Sequence, residues 1–281
     1  MIFTNYIRFC LLIWLTLIFG SYAYDLSERL EPKGALKVRL DYHLATTWPN
    51  RLKKKGKQIR RTFLWSTHLK FMNPVSEISD GQLWQMAEDA YKEMQAEQKL
   101  YGVNSKKDTP KAISVLAFGN EIIISSTIKG IKPFAYDYKK SAVSATLEKC
   151  QSDWDEAGGS PEKKLHKNQG GCSEVMSAQL YYSIYTQDEH PLRGRNARIC
   201  AVVAKDDSPA ERQNPCGTGS ADVWGCNKFV AEEGLNDLDK SIVAESYDLS
   251  TLAGGIDTID QIQICEASES ESESKKQDSK S

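Results

Sequence analysis

Hydrophobic residues recur with helical spacing in two stretches of the 281-residue chain and with strand-like density in several others. Ser79-Asp80-Gly81 reads as a helix start. Leu83, Met86, Ala87, Ala90, Tyr91 and Met94 then follow at i, i+3, i+4 and i+7 steps, which predicts an amphipathic helix over about 81–99. Gly102 and Asn104 close it. Two β-branched runs, Ala112 to Phe118 and Glu121 to Thr127, flank Gly119-Asn120 and predict a β-hairpin. A second helix is expected from Cys172 to about Tyr185, with Val175, Met176, Gln179, Leu180 and Ser183 along one mostly apolar face.

Beyond that helix the pattern changes period again. Ala197 to Ala204 is nearly continuous in small and β-branched residues, as in a strand covered on both faces. Pro215 to Gly219 is a turn, Cys226 to Glu233 a helix stopped by Gly234, Lys240 to Glu245 a short strand, and Ile256 to Cys265 a weak last element. Residues 131–150 permit a helix before Cys150, and 152–168 read as a polar loop. Strands that alternate with helices after an opening hairpin predict a layered α/β sheet.

The two ends of the chain lack such patterns. Arg8, the apolar run Phe9 to Phe19 and the small residues Ser21 and Ala23 make residues 1–23 a secretory signal, too short in its apolar part for a spanning helix. The mature protein is therefore expected to be secreted and extracellular, with no stable membrane anchor. Residues 24–78 form a basic, partly irregular segment whose middle, 51–61, is rich in Lys and Arg. A solvated loop, a processing site at Arg60-Arg61, a nuclear address and a phosphate-contacting patch all fit that run. Trp48, Phe63 and Trp65 flank it as packing residues that could also stack on bases. The Ser-Glu-rich tail, 266–281, has the composition of a disordered segment. The domain proper is expected over 79–265.

Composition selects no partner: Lys and Arg total 36 against 38 Asp and Glu, a formal net charge of -2. Cysteines are more informative. Cys10 leaves with the signal, and Cys150, Cys172, Cys200, Cys216, Cys226 and Cys265 remain, an even set in a secretory chain that favours disulfides. Against that stands the chemistry of Cys172-Ser173-Glu174, Pro215-Cys216 and Cys226, which is three thiolate donors with a carboxylate beside them. Cys172 and Glu174 fall in the first turn of their helix, where the helix dipole favours both anions.

In residue type and in order of elements these motifs resemble the cytidine deaminase-like superfamily, loosely its secreted or toxin-type branches. A Cys-x-Glu opens the helix after the hairpin, and Pro-Cys follows the next strand. Nine residues separate Cys216 from Cys226, where the family motif has two. The resemblance spans roughly 80–247 and implies a three-layer sandwich with a central mixed sheet and helices on both faces. It also implies Zn²⁺ held by Cys172, Cys216 and Cys226, and Glu174 as the catalytic proton shuttle of a hydrolase that cleaves amidine C–N bonds. The implied substrate is a nucleobase, nucleotide or nucleic acid, met by an effector or toxin in a target cell.

The competing expectation is a disulfide-stabilised binding protein that keeps this scaffold without metal or catalysis. In it Cys216 bridges Cys226, and Cys150 can pair with Cys265 if Cys200 stays a buried thiol. Glu174 is then a first-turn residue with no chemistry. His166 and His190 are read as loop residues, and Arg193, Arg195 and Arg198 as a solvated basic segment.

Overall fold

The computed structural model describes residues 24–48, 60–130, 134–138, 141–158, 166–205, 208–220 and 222–264. The expected leader, the basic run over 51–59, Cys265 and the Ser-rich tail lie outside the described residues. None of the described helices is long and apolar enough to cross a membrane.

The strands are β1 (Arg39–Leu40), β2 (Trp65–Phe71), β3 (Ala112–Phe118), β4 (Glu121–Ser126), β5 (Arg198–Ala204), β6 (Ala210–Gln213), β7 (Asn236–Asp237) and β8 (Ile256–Asp260). The helices are α1 (Tyr42–Thr47), α2 (Asp80–Leu100), α3 (Phe134–Asp137), α4 (Ser144–Glu156), α5 (Ser173–Ile184) and α6 (Cys226–Glu232). One open sheet runs β1-β2-β4-β3-β5-β6, with β8 also on β2 and β7 also on β5. It is a mixed sheet, since β5 and β7 pair in parallel and the other pairings are antiparallel.

Alternation along the strands divides the interior in two. Ile113, Val115, Ala117, Ile122 and Ile124 pack with α2 residues Leu83, Met86, Ala87, Ala90 and Met94. Leu116, Phe118, Ile123 and Ile199 pack on the opposite face with Val175, Met176, Ala178 and Leu180 of α5. The period of two in the strands thus puts one helix layer on each side. α5 is buried over 173–182 between the sheet and α6, on which α4 packs in turn. The expectation of one apolar face understates it: Ser177 sits in this helix because its Oγ bonds Ser114 Oγ at 2.9 Å.

Local chemistry sets the element ends. Ser79 accepts from Gln82 N, and the Gln82 side chain accepts from Ser79 N, a capping box that starts α2 one residue before the expected position. Gly119 takes φ +52 in the hairpin turn, open to a residue without a Cβ. Arg198 donates to Ile78 O at 2.9 Å and Asp80 Oδ1 at 2.6 Å, so this arginine of the expected solvated segment is a clamp between β5 and the start of α2.

Three expectations need correction. α4 runs on through Cys150 to Glu156, into the stretch expected to be a polar loop. Residues 240–245 form no strand; Val243 is 78% exposed, and Glu245 instead bonds Ser79 Oγ through its carboxylate, while the parallel partner of β5 is the earlier Asn236–Asp237. Residues 24–78 also contribute β1 and β2 to the same sheet, with α1 between them. Phe63 and Trp65 are wholly buried and stack on each other, and Trp48 meets Phe134 and Tyr138 edge-on, so all three are packing residues.

Candidate metal centre

The sequence-predicted residues come together where α5 and α6 begin. Cys172 is the N-cap residue of α5, and Cys226 is the first residue of α6, behind Gly225. Cys216 lies in the turn after β6. The nine residues between Cys216 and Cys226 fold back: Asn227 N donates to Cys216 O at 3.0 Å, and Cys226 N donates to Cys216 Sγ at 3.2 Å. Despite the long spacing, the two cysteines meet.

A fourth group joins them. His166, buried to 1% exposure, brings Nε2 to 3.4 Å from Cys226 Sγ and 3.8 Å from Cys216 Sγ. The donor atoms of His166, Cys172, Cys216 and Cys226 all lie within 4.8 Å of one another, and this group could hold a metal ion. In tetrahedral zinc sites with Zn–S near 2.3 Å, sulfurs stand roughly 3.8 Å apart. Cys172 Sγ and Cys216 Sγ are 3.5 Å apart, so the three sulfurs fit such an ion in chemistry and this pair fits it in spacing. The same separation is far beyond the ~2.05 Å of a disulfide.

Cys150, Cys172, Cys200, Cys216 and Cys226 are all free here, so the structure does not contain the Cys216–Cys226 bridge of the competing reading. A Cys150 pairing with Cys265 falls outside the described residues. Burial pushes the Cys150 thiol up to about 12, and Cys200 is held inside β5 with its Sγ on Leu83 O, so both are packing groups.

His166 has a defined orientation. Its Nδ1 accepts N–H bonds from Asn168 at 3.1 Å and Gly170 at 3.2 Å, while Trp224 packs edge-on against the ring at 5.1 Å. An Nδ1 that accepts leaves the ring proton on Nε2, aimed at the sulfurs. Ligating histidines have the opposite arrangement, in which the far nitrogen donates. The tight loop that achieves this needs left-handed Gln169 (φ +54) and Gly170 (φ +66); a Cβ on Gly170 would also press on Ala135 and Leu147 at 3.0 Å. Sequence reasoning put His166 in a loop, which is correct, and missed its meeting with the cysteines. The Asn-Gln-Gly-Gly run between it and Cys172 was the available signal.

Charge is unevenly shared among the sulfurs. Hydrogen bonds from Cys172 and then Cys226 hold the Cys216 thiol far below its ordinary range; that contact with Cys216 raises Cys172, and burial raises Cys226. Asn168 Nδ2 donates to Cys172 Sγ at 3.1 Å. These N–H groups suit sulfur ligands that carry negative charge.

Glu174, two residues into the same helix end, is 6% exposed, and its Oε2 accepts from Ser173 Oγ at 3.0 Å. Burial first, and then the charge on Cys216, push its carboxyl up to about 7. It lines a cavity of about 310 Å³ together with Cys172, Ser173, Cys216, Asn168 and Asn214. His190 stands elsewhere, bonded to Arg195 and edge-on to Tyr185, and Arg193 donates to backbone carbonyls at the end of α6. No protein-family model, curated protein or solved structure matches this chain.

Proposed function

We propose that this chain is a secreted hydrolytic deaminase of the cytidine deaminase-like type, acting on the amidine C–N bond of a nucleobase as an effector or toxin. The observation that carries the reading is the buried Glu174 carboxyl in one cavity with Cys172 and Cys216, beside a third converging sulfur. The order α2, β3–β4 hairpin, α5, β5, α6, β7 supports the family resemblance, as do helices on both faces of a mixed sheet.

Cys172, Cys216 and Cys226 would hold Zn²⁺, with His166 as a donor that steadies the sulfurs. When bound, the ion supplies Lewis acidity and brings the pKa of water from about 16 to about 7. Glu174 does the proton work. It takes a proton from the attacking water, delivers it to the ring nitrogen as oxygen adds to the amidine carbon, and passes a second proton to the departing amine. One water is consumed; the C–N bond breaks, a carbonyl forms and ammonia leaves. A carboxyl poised near neutrality suits both directions of that transfer. Burial of Glu174 keeps bulk water from competing.

Metal analysis of the purified chain with an ammonia-release assay on nucleobases, nucleosides and oligonucleotides tests the reading. We expect about one zinc per chain, its loss in Cys172→Ser, and no ammonia release in Glu174→Ala with metal and fold retained. A metal-free protein would end the catalytic reading and leave a binding scaffold. Activity retained in Glu174→Ala would remove Glu174 from the mechanism.

A further inference from the structure

The lining of the Glu174 cavity is strongly one-sided in charge. Lys111, Lys129, Lys167 and Lys205 all contribute to it, and Glu174 is the only carboxylate among the described lining residues. The chain as a whole has slightly more acids than bases, so this excess is local. The four lysines come from four separate segments. Lys111 leads into β3, Lys129 follows β4 and Lys205 follows β5, while Lys167 belongs to the loop that carries His166 into α5.

Their arrangement is a row. β4, β3 and β5 are consecutive in the sheet, and neighbouring strands are about 4.8 Å apart, so three of the lysines issue from one sheet end over roughly 10 Å. Lys205 makes an exposed 3.6 Å pair with Glu211, and such pairs contribute little and exchange readily with other anions. A row of cations suits successive phosphates better than a single one. Burial adds a second constraint: Glu174, which lines this cavity of about 310 Å³, is only 6% exposed, out of reach of a base stacked in a duplex.

We propose that the cavity mouth seats the phosphates of a single-stranded polynucleotide, which delivers one unstacked base to Glu174. The delivery step rests on the deaminase reading above, whereas the strand-binding mouth rests on the lysines alone. Phosphate contacts of this kind position a strand without reading its sequence. The preferred ligand is therefore a strand of either sugar, in preference to a free nucleoside or a duplex.

The test uses the full metal-loaded chain carrying Glu174→Ala, with fluorescein-labelled single-stranded DNA and RNA of mixed sequence read by anisotropy. Four phosphate contacts predict a slope of log K against log salt of about -3, at roughly -0.7 per contact for single strands. Exchanging Lys167→Glu together with Lys205→Glu weakens binding by about 10-fold or more and roughly halves the slope, with metal content unchanged. If that pair fails to fold, Lys167→Gln with Lys205→Gln gives the same change in slope. A salt-independent affinity, a charge-swapped chain that binds like its parent, or a duplex bound as tightly as the single strand overturns the proposal. Failure of the two ideas is separable: ammonia release from nucleosides without strand binding removes the mouth and keeps the deaminase. Salt-dependent strand binding with no ammonia release from any substrate removes the deaminase and keeps the mouth.

Discussion

Glu97 sits in the last third of α2 with both carboxylate oxygens buried and without a hydrogen-bond partner. Burial is the largest influence on it; Lys33 favours its charge, and Glu93 and Glu31 oppose it, with the result that its pKa rises from 4.5 to about 7. A folded-state value above the unfolded one means that the native state binds the extra proton. This group therefore costs nothing below about pH 4.5, and stability falls as pH rises from there through about 7. Glu97→Gln removes that slope, and the variant should gain up to about 3 kcal/mol on the parent between pH 4.5 and pH 8. Urea unfolding of both chains at the two pH values measures it; a difference that does not change with pH would sink the assignment. Single residues of this kind were the least legible in the sequence. A glutamate late in a helix reads as solvated, and His166 reads as a loop residue, because burial and tautomer are set by segments far away in the chain. Cys172, Glu174, Cys216 and Cys226 were legible because their chemistry is confined to a few residue types.

At the scale of elements, α2, β3, β4, α5, β5 and α6 fall within a residue or two of the bounds that their periodicity predicts. Each has a local cause, such as the Ser79–Gln82 box or the Gly119 turn. The return of the chain from Cys216 to Cys226 has no such signature, since spacing alone cannot distinguish a folded-back insertion from a lost motif. What makes it work is a close approach at Gly225, where a Cβ would lie 2.4 Å from Cys216 O and 2.6 Å from Cys216 Sγ. The backbone there is extended, so the contact and not a special φ demands glycine. Gly225→Ala should push Cys216 away from Cys226 and weaken metal retention by about 10-fold or more, the scale seen for disturbed metal surroundings. Chelator competition followed by metal analysis reads this, with far-UV circular dichroism unchanged because α6 itself can still form. Metal held as tightly as in the parent would mean that the cluster tolerates a wider Cys216–Cys226 separation than the structure implies.

For the whole molecule, the segment before residue 79 is structural. β2 lies between β4 on one edge and β1 with β8 on the other, and Asp41 accepts N–H bonds from Leu44 and Ile264, tying the start of the chain to its far end. These partners are distant in sequence; the alternation of Trp65, Leu69 and Phe71 with Ser66, His68 and Lys70 is itself a strand pattern, overshadowed by the basic run just before it. The consequence bears on processing at Arg60-Arg61. A chain that begins at Thr62 loses Leu36, Val38, Leu40 and Leu44, each 0–1% exposed in the native state. At about 1.5–3 kcal/mol for each buried aliphatic side chain, that is roughly 6–12 kcal/mol, comparable with the whole stability of an ordinary domain. The shortened chain should therefore lack a cooperative thermal transition and aggregate, whereas residues 24–60 supplied as a separate fragment should restore folding in part. A chain starting at Thr62 that melts cooperatively as a monomer and retains its metal would show that the N-terminal segment is dispensable, and would return the basic run to the role of a cleavage site.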